Sequence, residues 1–457
     1  MSRISTQVLI CGAGIAGISA AYHLAVRQGA REVLIVDERP PLSLTSDKST
    51  ECYRNWWPGP DDAMVALMNR SIDLLEELAE DSGNIFHLNR RGYLYLTARE
   101  AQVPEMLRSA QESSRLGGGP LRLLYGVPGE PAYQPAHPHR YLGQPEGADL
   151  ILSQKLLREH FPYATPNAVA ALHVRRAGWF SAQQLGMYLL ERAREHGVEL
   201  KRARVVDIGV REGCISSVSL DDGSLIAVKH FVDAAGPFVT EIADRLGVEL
   251  PVFCEPHLKA AFKDSLGVLP REAPLLIWND PQFLSWSNEE RQLLEEDDSS
   301  RWMLDEMPAG AHTRPEGPDD SPIVLMLWEY RSEISQPLMA PPLDPNYPEI
   351  ALRGLIPMIP GLEAYLGRLP RPILDGGYYT KTRENRPLVG PLPVQGAWVI
   401  GALSGYGLMA SLGVGELLAA HLAGSSLPDY ASAFDLRRYQ DPAYQTALES
   451  WAPSGQL

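Results

Sequence analysis

Three glycines and one aspartate near the N-terminus have the residue types and the spacing that bind a dinucleotide: Gly12, Gly14, Gly17 and Asp37. The glycines follow the apolar run Val8–Ile10, and Asp37 ends a second apolar run 20 residues after Gly17. The first glycine of such a motif permits a tight turn, the second lets main-chain N–H groups approach a pyrophosphate, and the third lets the helix pack on its strand. The acidic residue accepts hydrogen bonds from a ribose. We therefore predict a βαβ dinucleotide-binding unit; an ordinary glycine-rich structural turn is the alternative.

Apolar periodicity predicts the elements that hold this motif in place. Amphipathic patterns predict helices over 62–82 and 182–196, and apolar runs predict strands at 92–97, 198–200, 205–210, 215–220 and 231–236. Residues 399–422 are apolar enough to suggest a membrane span. However, they include Glu416, His421 and several glycines, so a strand, a glycine-rich turn and a buried helix are the better interpretation.

The middle of the chain has a different character. Residues 253–262 and 323–330 have the pattern of strands, and an acidic insertion with a helix over 289–298 separates them. We predict an α/β protein with a Rossmann-like nucleotide-binding domain and an α+β substrate domain built on an antiparallel sheet. The predicted nucleotide-binding domain is discontinuous, over 1–60, 150–250 and 370–457, and the predicted substrate domain covers 61–149 and 251–369.

Composition limits the partners. The chain has 457 residues, of which 45% are hydrophobic, and its length exceeds what one core holds. A net charge of −16 argues against nucleic acid and anionic membranes, which require a basic face. The four cysteines form no C-x-x-C pair and no basic, apolar leader is visible, so we expect no structural metal and a cytoplasmic location.

Three separated segments, 8–54, 205–236 and 376–415, are expected to converge on one ligand. A ligand that touches so much chain is large and permanently held. FAD therefore fits better than a dissociable nicotinamide.

In chain order, the glycine motif with Asp37, Asp233–Gly236, Gly377–Gly390 and Gly401–Gly407 resemble the FAD-dependent D-amino-acid oxidase, sarcosine oxidase and glycine oxidase superfamily. The resemblance implies FAD extended across the first domain, with its flavin ring facing a sheet of the second. It also implies transfer of a hydride from the carbon next to an amine nitrogen to the flavin, giving an imine.

The motif, the loop that follows the second strand and the resemblance together supply the predicted FAD-binding residues. Among them, the resemblance places the backbone of Val205 near the adenine and the helix after Ser404 against the flavin. The complete set is Gly12, Gly14, Ile15, Ala16, Gly17, Asp37, Glu38, Arg39, Ser46, Ser49, Thr50, Arg54, Val205, Ala235, Gly236, Gly377, Ser404, Gly405, Tyr406, Gly407, Leu408 and Met409. Relatives with covalent flavin carry a cysteine at the position of Gly377 or a histidine on the loop after the second strand. Neither is present, so we expect non-covalent FAD.

The substrate side departs from the resemblance. Relatives bind the substrate carboxylate with arginines where Tyr379 and Gly405 stand here, or with a lysine where Met409 stands. We therefore expect a larger or less acidic amine, in a pocket lined by Tyr378 and Tyr379. Paired tyrosines in a core are the alternative.

His257 and Lys259 alternate along one predicted strand and share a face. We expect His257 to orient the substrate and Lys259 to attract negative charge as oxygen is reduced; a solvated strand face is the alternative. His312 and Arg314 are expected at the rim of the pocket. The predicted catalytic set is therefore His257, Lys259, Tyr378 and Tyr379, with no metal.

The predicted function is FAD-dependent oxidation of an amino acid or secondary amine at the carbon next to its nitrogen, with oxygen or an electron carrier as the acceptor. Flavin-dependent oxidation of a hydroxyl substrate such as a 2-hydroxy acid is one alternative. A non-catalytic FAD-binding protein is another.

Overall fold

The computed structural model describes residues 4–318 and 320–451. Its first sheet is built around the strand Ile4–Cys11, which pairs in parallel with Val33–Asp37 on one side and Leu225–Asp233 on the other. In this register Cys11 lies beside Val36 and Asp233, so the three strands end at one edge of the sheet. Ligands of open parallel sheets bind outside the carboxyl ends of the strands, and the predicted dinucleotide motif begins at this edge.

Eight strands form this first sheet, and helices cover its central strands. The strands are Ile4–Cys11, Val33–Asp37, Glu199–Arg202, Val205–Arg211, Cys214–Leu220, Leu225–Asp233, Leu388–Pro391 and Ala397–Gly401. The associated helices are Ile15–Tyr22, which continues as a π-helical turn over His23–Arg27, and Ala63–Ser82, Ala182–Glu195, Val239–Asp244 and Gly407–Ala423.

A second sheet of nine strands is mostly antiparallel. Its strands, in spatial order, are Ile373–Lys381, Phe253–Lys263, Ile323–Leu327, His312–Glu316, Leu275–Trp278, Tyr93–Thr97, Ala170–Val174, Ala148–Ile151 and Leu121–Leu124. Parallel pairing occurs at two places: Leu275–Trp278 beside Tyr93–Thr97, and Leu121–Leu124 beside Ala148–Ile151. The remaining α-helices are Thr45–Lys48, Val103–Ser113, Gln154–His160, Asn288–Glu296, Tyr347–Leu355 and Pro442–Ser450.

Short elements complete the described chain. A two-stranded ribbon pairs Cys52–Arg54 with Ala177–Trp179. The 3₁₀ turns are Glu100–Gln102, Gly236–Phe238, Arg301–Leu304, Pro360–Tyr365, Asp429–Ala433 and Leu436–Gln440, and a π-helical turn covers Ser114–Gly118. No helix within the described ranges has both the length and the apolar character needed to cross a bilayer.

The predicted fold class is confirmed, but two predicted domain limits need correction. The strand Ala170–Val174 and the last two residues of Ala148–Ile151 belong to the second sheet, whereas residues 150–250 are predicted in the nucleotide-binding domain. The helix Ala63–Ser82, assigned to the substrate domain, packs on Gly407–Ala423 beside the first sheet. Both differences have one cause: an apolar strand or helix face shows that a segment is buried, but not which of two cores buries it.

Candidate functional site

The turn after the first strand leaves no room for side chains at two of its glycines. Gly12 has a φ of +119°, and a Cβ added there would overlap the carbonyl oxygen of Ala234. A Cβ on Gly17 would overlap the carbonyl oxygen of Gly12. Gly14 differs, because a Cβ there would meet only the Ser46 hydroxyl, at 3.4 Å. Gly12 and Gly17 therefore allow the backbone to pack, while Gly14 leaves space open above the turn.

Main-chain amides fix Asp37 beside this turn. One carboxylate oxygen accepts from the Ala13 N–H at 2.7 Å, and the other accepts from the Arg39 N–H at 2.8 Å. A cavity of about 470 Å³ adjoins the carboxylate. The predicted residues that line it are Gly12, Gly14, Asp37, Glu38, Arg39, Ser46, Val205, Ala235 and Gly236. The acidic residue, the open glycine and Val205 thus share one compartment, which we call the nucleotide cavity.

A smaller cavity of about 120 Å³ continues from the nucleotide cavity. We call it the flavin cavity. It includes the first residues of two helices, Ile15 and Gly407, and the N-terminus of a helix carries partial positive charge. Between strand and helix, Ala402 and Ser404 have left-handed φ values of +54° and +48°. The Ser404 hydroxyl is buried without a hydrogen-bond partner, and strain together with an orphaned polar atom marks a place where a ligand supplies the contact.

The loop after the second strand forms another wall of the flavin cavity. The Ser46 hydroxyl accepts from the Ile15 N–H at 3.0 Å, which ties this loop to the first helix. Arg314 is almost fully buried and donates to the Thr50 carbonyl at 2.7 Å. The expectation that Arg314 rims the pocket is therefore corrected: its guanidinium lies behind the wall and fixes the position of Thr50.

A third and larger cavity, of about 710 Å³, lies on the second sheet. We call it the substrate cavity. Its aromatic side chains include Trp302, Tyr330 and Tyr347, with Trp302 and Tyr347 each stacked on Tyr330 at a centroid distance of 5.7 Å. Aromatic walls of this kind bind the apolar part of a ligand.

The three cavities share residues and form one groove. The nucleotide and flavin cavities share Gly14, Thr45, Ser46, Ala234, Gly236 and Pro237. The flavin and substrate cavities share Thr50, His257, Leu258, Leu327, Tyr379 and Gly405. A ligand in the flavin cavity would therefore meet a second ligand in the substrate cavity at this second group of six residues.

Arg54 is one of the cations of the substrate cavity. Its Nε donates to the Trp56 carbonyl at 3.2 Å, and its guanidinium lies 4.4 Å from the ring centre of Trp57. Side chains alternate along the strand Cys52–Arg54, so Cys52 and Arg54 face this cavity while Tyr53 is buried on the other side. Arg54, predicted as an FAD ligand, thus lies on the substrate side.

Burial controls the protonation of the neighbouring groups. Burial lowers the pKa of His312 to about 4, and its Nδ1 lies 2.8 Å from the Gly310 carbonyl. His312 lines the substrate cavity, and it is neutral at neutral pH. Burial also lowers the pKa of Lys259, whose ammonium donates to the Ser49 carbonyl at 2.9 Å in the flavin cavity.

Most of the predicted residues come together along this groove. The remaining predicted FAD residues that line the flavin cavity are Ile15, Ala16, Ser49, Thr50, Gly377, Ser404, Gly405, Gly407 and Leu408. Met409 lines the substrate cavity, and Gly17 has a packing role. Tyr406 lines none of the three cavities: it is buried, donates to the Asn385 carbonyl at 2.7 Å and packs edge-on against Trp57.

The four predicted catalytic residues divide between the cavities. His257 and Tyr379 line both the flavin and substrate cavities, with their rings stacked at 3.5 Å. Lys259 and Tyr378 line the flavin cavity alone. Tyr378 does not line the substrate cavity. It precedes Tyr379 on the same strand, and the side chains of successive residues face opposite sides of a sheet.

Sequence reasoning missed several lining residues. Glu329 follows a strand end, Trp302 lies in a 3₁₀ turn, and Leu338 and Met339 lie in an irregular segment that reaches the nucleotide cavity. Aromatic residues are about as frequent between 302 and 347 as in the whole chain, so composition gave no signal for the substrate wall. Leu338 is 56% exposed, and no pattern in the sequence indicated that it lines a cavity.

Comparison with known proteins identifies the family. A model of the FAD dependent oxidoreductase family, DAO, matches residues 7–421, so the chain belongs to that family. Its cofactor is FAD, as predicted. The groove fits this cofactor, because it offers an open glycine turn, a carboxylate held in place by main-chain amides and an orphaned hydroxyl.

Individual relatives are distant. Human mitochondrial dimethylglycine dehydrogenase is 25% identical over 274 residues, which are 59% of this chain and 28% of the human protein. The mouse mitochondrial pyruvate dehydrogenase phosphatase regulatory subunit is 25% identical over 240 residues, 52% of this chain and 23% of that protein. The chain thus spans about a quarter of the length of these curated relatives.

Solved structures resemble this one over nearly their whole length. L-proline dehydrogenase from P. horikoshii has a TM-score of 0.72 at 18% identity, covering 96% of this chain and 98% of the other. Glycine oxidase from Geobacillus kaustophilus has a TM-score of 0.72 at 17% identity, covering 95% and 99%. At these identities the likeness establishes the fold.

Proposed function

We propose that this protein uses FAD to oxidise the carbon next to the nitrogen of an amino acid or secondary amine. One observation carries the proposal: the flavin and substrate cavities meet at six shared residues, among them Thr50, His257 and Tyr379. Two ligands held on either side of that junction would be in contact, as hydride transfer requires. The names of the relatives support an amine, since dimethylglycine dehydrogenase, L-proline dehydrogenase and glycine oxidase are all named for amine substrates.

Bound FAD supplies the acceptor for a hydride and the electrons it carries. The chain would hold its ribose with Asp37, its pyrophosphate with the N–H groups around Gly14, and its ring with the segment 402–408. The N-terminus of the helix Gly407–Ala423 would stabilise negative charge on the reduced ring. No cysteine stands at 377, and burial raises the pKa of Cys52, which keeps that thiol protonated; both support non-covalent binding.

The substrate cavity would orient the amine. The Arg54 guanidinium supplies donors for a carboxylate, and Trp302, Tyr330 and Tyr347 bind an apolar portion and exclude water. His312, neutral at neutral pH, adds no positive charge that would repel the substrate. An amine needs only its unprotonated nitrogen beside the C–H bond, so these residues contribute orientation rather than a strong base.

Reoxidation is proposed to use oxygen. The ammonium of Lys259 lies in the flavin cavity, where it would attract negative charge that develops as oxygen is reduced. The opposing finding would be a holoprotein that reacts with an artificial electron carrier and not with air.

Two other functions are candidates. A 2-hydroxy acid would present the same carboxylate to Arg54. The match to the mouse regulatory subunit, whose name describes no oxidation, favours a non-catalytic FAD-binding role.

Further proposals concern partners, location and domains. We propose that the protein acts without nucleic acid, membrane or metal, in the cytoplasm; the net charge of −16 and four unpaired cysteines support this. We also propose that the chain divides into a nucleotide-binding domain and a substrate domain, with the domain limits placed where the chain passes from one sheet to the other.

Anaerobic mixing of the holoprotein with a panel of compounds tests the proposed function. We expect secondary amines and N-methyl amino acids to bleach the visible flavin absorbance, and 2-hydroxy acids to leave it unchanged. Bleaching by the hydroxy acids alone would establish the first alternative. A bound flavin that no member of either class reduces would establish the second.

A further inference from the structure

A long loop connects the second sheet with the helix that follows it. The loop lies between the strand Ile323–Leu327 and the helix Tyr347–Leu355, and no helix or strand forms between them in this described part of the chain. Compact proteins have few such loops longer than about 12–15 residues, and many of those that occur are lids or binding loops. We call residues 331–344 the strap.

Both ends of the strap lie at the substrate cavity. Arg331 and Glu333 line this cavity at one end, and Leu343 and Asp344 line it at the other. Burial and the neighbouring Asp344 raise the pKa of the Tyr330 hydroxyl, so the chain that enters the strap lies beside the chain that leaves it. A loop whose ends lie close together is an Ω-loop, a form that frequently carries function.

The middle of the strap reaches the nucleotide cavity. Pro337, Leu338 and Met339 line that cavity, while the Ser335 N–H donates to the Cys254 carbonyl of the second sheet at 2.9 Å. Leu338 is 56% exposed and Met339 is 44% exposed, although both line the cavity. The strap therefore brings apolar side chains from the second sheet to the nucleotide cavity, where a ligand can cover them.

The position of these side chains matches the adenosine half of FAD. Asp37 and Val205 line the same cavity, and Gly14 lines both this cavity and the flavin cavity. An FAD molecule with its pyrophosphate at Gly14 and its ring in the flavin cavity would extend its adenosine into the nucleotide cavity. Leu338 and Met339 offer no strong hydrogen-bonding group to a ribose or phosphate, whereas both side chains pack favourably on an aromatic ring.

We propose that the strap closes over the adenosine half of bound FAD, with Leu338 and Met339 packed on the adenine ring. The adenosine would then contact side chains attached to both sheets, since Val205 lines the same cavity from the first sheet. This apolar contact adds to the FAD affinity that Asp37 and Gly14 provide. The inference depends on FAD, the cofactor of the family, and not on the proposed amine oxidation.

A double variant, Leu338→Ser with Met339→Ser, tests the contact, and Ile334→Ser is its matched control. Ile334 lies in the same strap and is 71% exposed, but it lines none of the three cavities. All three side chains are at least 44% exposed, so the substitutions should leave the urea midpoint of the apoprotein close to that of wild type. Titration of each apoprotein with FAD, and with ADP as a probe that lacks the flavin, measures the two affinities.

We expect the double variant to bind FAD and ADP about 10-fold more weakly than wild type, because covering two apolar side chains contributes roughly this factor. The control should bind both ligands as wild type does. Hydrogen exchange gives a readout that does not depend on affinity. FAD and ADP should each slow exchange of the amides around Leu338 in wild type by at least ~3-fold, and should slow it less in the double variant.

Affinities for FAD and ADP in the double variant that match those of the control would overturn the proposal. A loss of FAD affinity with unchanged ADP binding would also contradict it, because the contact would then lie at the flavin half. Equal exchange of the strap amides with and without FAD would show that the strap does not close. ADP that neither binds wild type nor slows this exchange would show that the adenosine half makes no contact of its own.

Discussion

The nucleotide end and the substrate end of the groove are built from different chemistry. Main-chain atoms form most of the nucleotide end: two glycines have no room for Cβ atoms, and main-chain amides hold Asp37. The substrate end is formed by side chains from separated strands, among them Arg54, His257 and Tyr379. Backbone groups that bind a ligand require particular residues in the sequence and do not titrate. Side chains that bind a ligand can differ between sequences, and their binding depends on their charge.

The largest effect is expected from a substitution at the nucleotide end, where it should lower the stability of the apoprotein. Gly12→Ala should destabilise the apoprotein by about 3–5 kcal/mol, because the φ of +119° and the Ala234 carbonyl leave no room for a methyl group. Gly14→Ala is the matched control. It should lower FAD affinity by at least ~10-fold and leave apoprotein stability within about 1 kcal/mol, because its methyl group enters the ligand space.

Urea unfolding of the two apoproteins and FAD titrations measure this contrast. Equal losses of stability in both variants would show that Gly14 also serves packing, and the distinction between the glycines would be wrong.

Removing the positive charge of Arg54 should weaken the binding of substrate and leave the binding of FAD unchanged. Arg54→Met is expected to raise the KM for carboxylate-bearing substrates by about 10–100-fold, because a charge-assisted hydrogen bond is lost, while FAD affinity stays unchanged. Steady-state kinetics and an FAD titration measure the two effects. A weaker affinity for FAD with unchanged KM would return Arg54 to the cofactor side, where the sequence had placed it.

The substrate end should also respond to acid. His312 has a folded pKa of about 4, below the ordinary value near 6.5. Its contribution to stability is present above pH 6.5 and is lost as pH falls through 4, since the unfolded chain then binds the proton first. We expect wild type to lose up to about 3 kcal/mol relative to His312→Gln over this interval. If the urea midpoints of wild type and His312→Gln differed by the same amount at every pH, the burial of a neutral imidazole would be refuted.

The smallest expected effect concerns the orphaned hydroxyl of the flavin cavity. Ser404→Ala should leave the apoprotein as stable or more stable, because it removes a buried polar atom without a partner. It should weaken FAD binding about 5-fold, the value of one ordinary hydrogen bond. If the variant destabilises the apoprotein and binds FAD normally, the hydroxyl serves the fold instead.

The same contrast explains how much of the molecule could be predicted from the sequence. The glycine turn, Asp37 and the helix after Ser404 were predictable because backbone geometry demands particular residues at particular spacings. A resemblance and strand alternation predicted Tyr379 and His257 as site residues, and both line the junction of the flavin and substrate cavities. Glu329 was not found, because its place depends on the register between strands far apart in the chain. Arg54, expected among the FAD ligands, lines the substrate cavity, since alternation along a three-residue strand decides which cavity it faces.

A crystal structure of the holoprotein tests the central claim, that one continuous groove brings flavin and substrate together. We predict that the flavin ring lies against the shared residues Thr50, His257 and Tyr379, with its pyrophosphate at Gly14 and its ribose at Asp37. A ring bound away from these residues, or separated from the substrate cavity by protein side chains, would contradict the account.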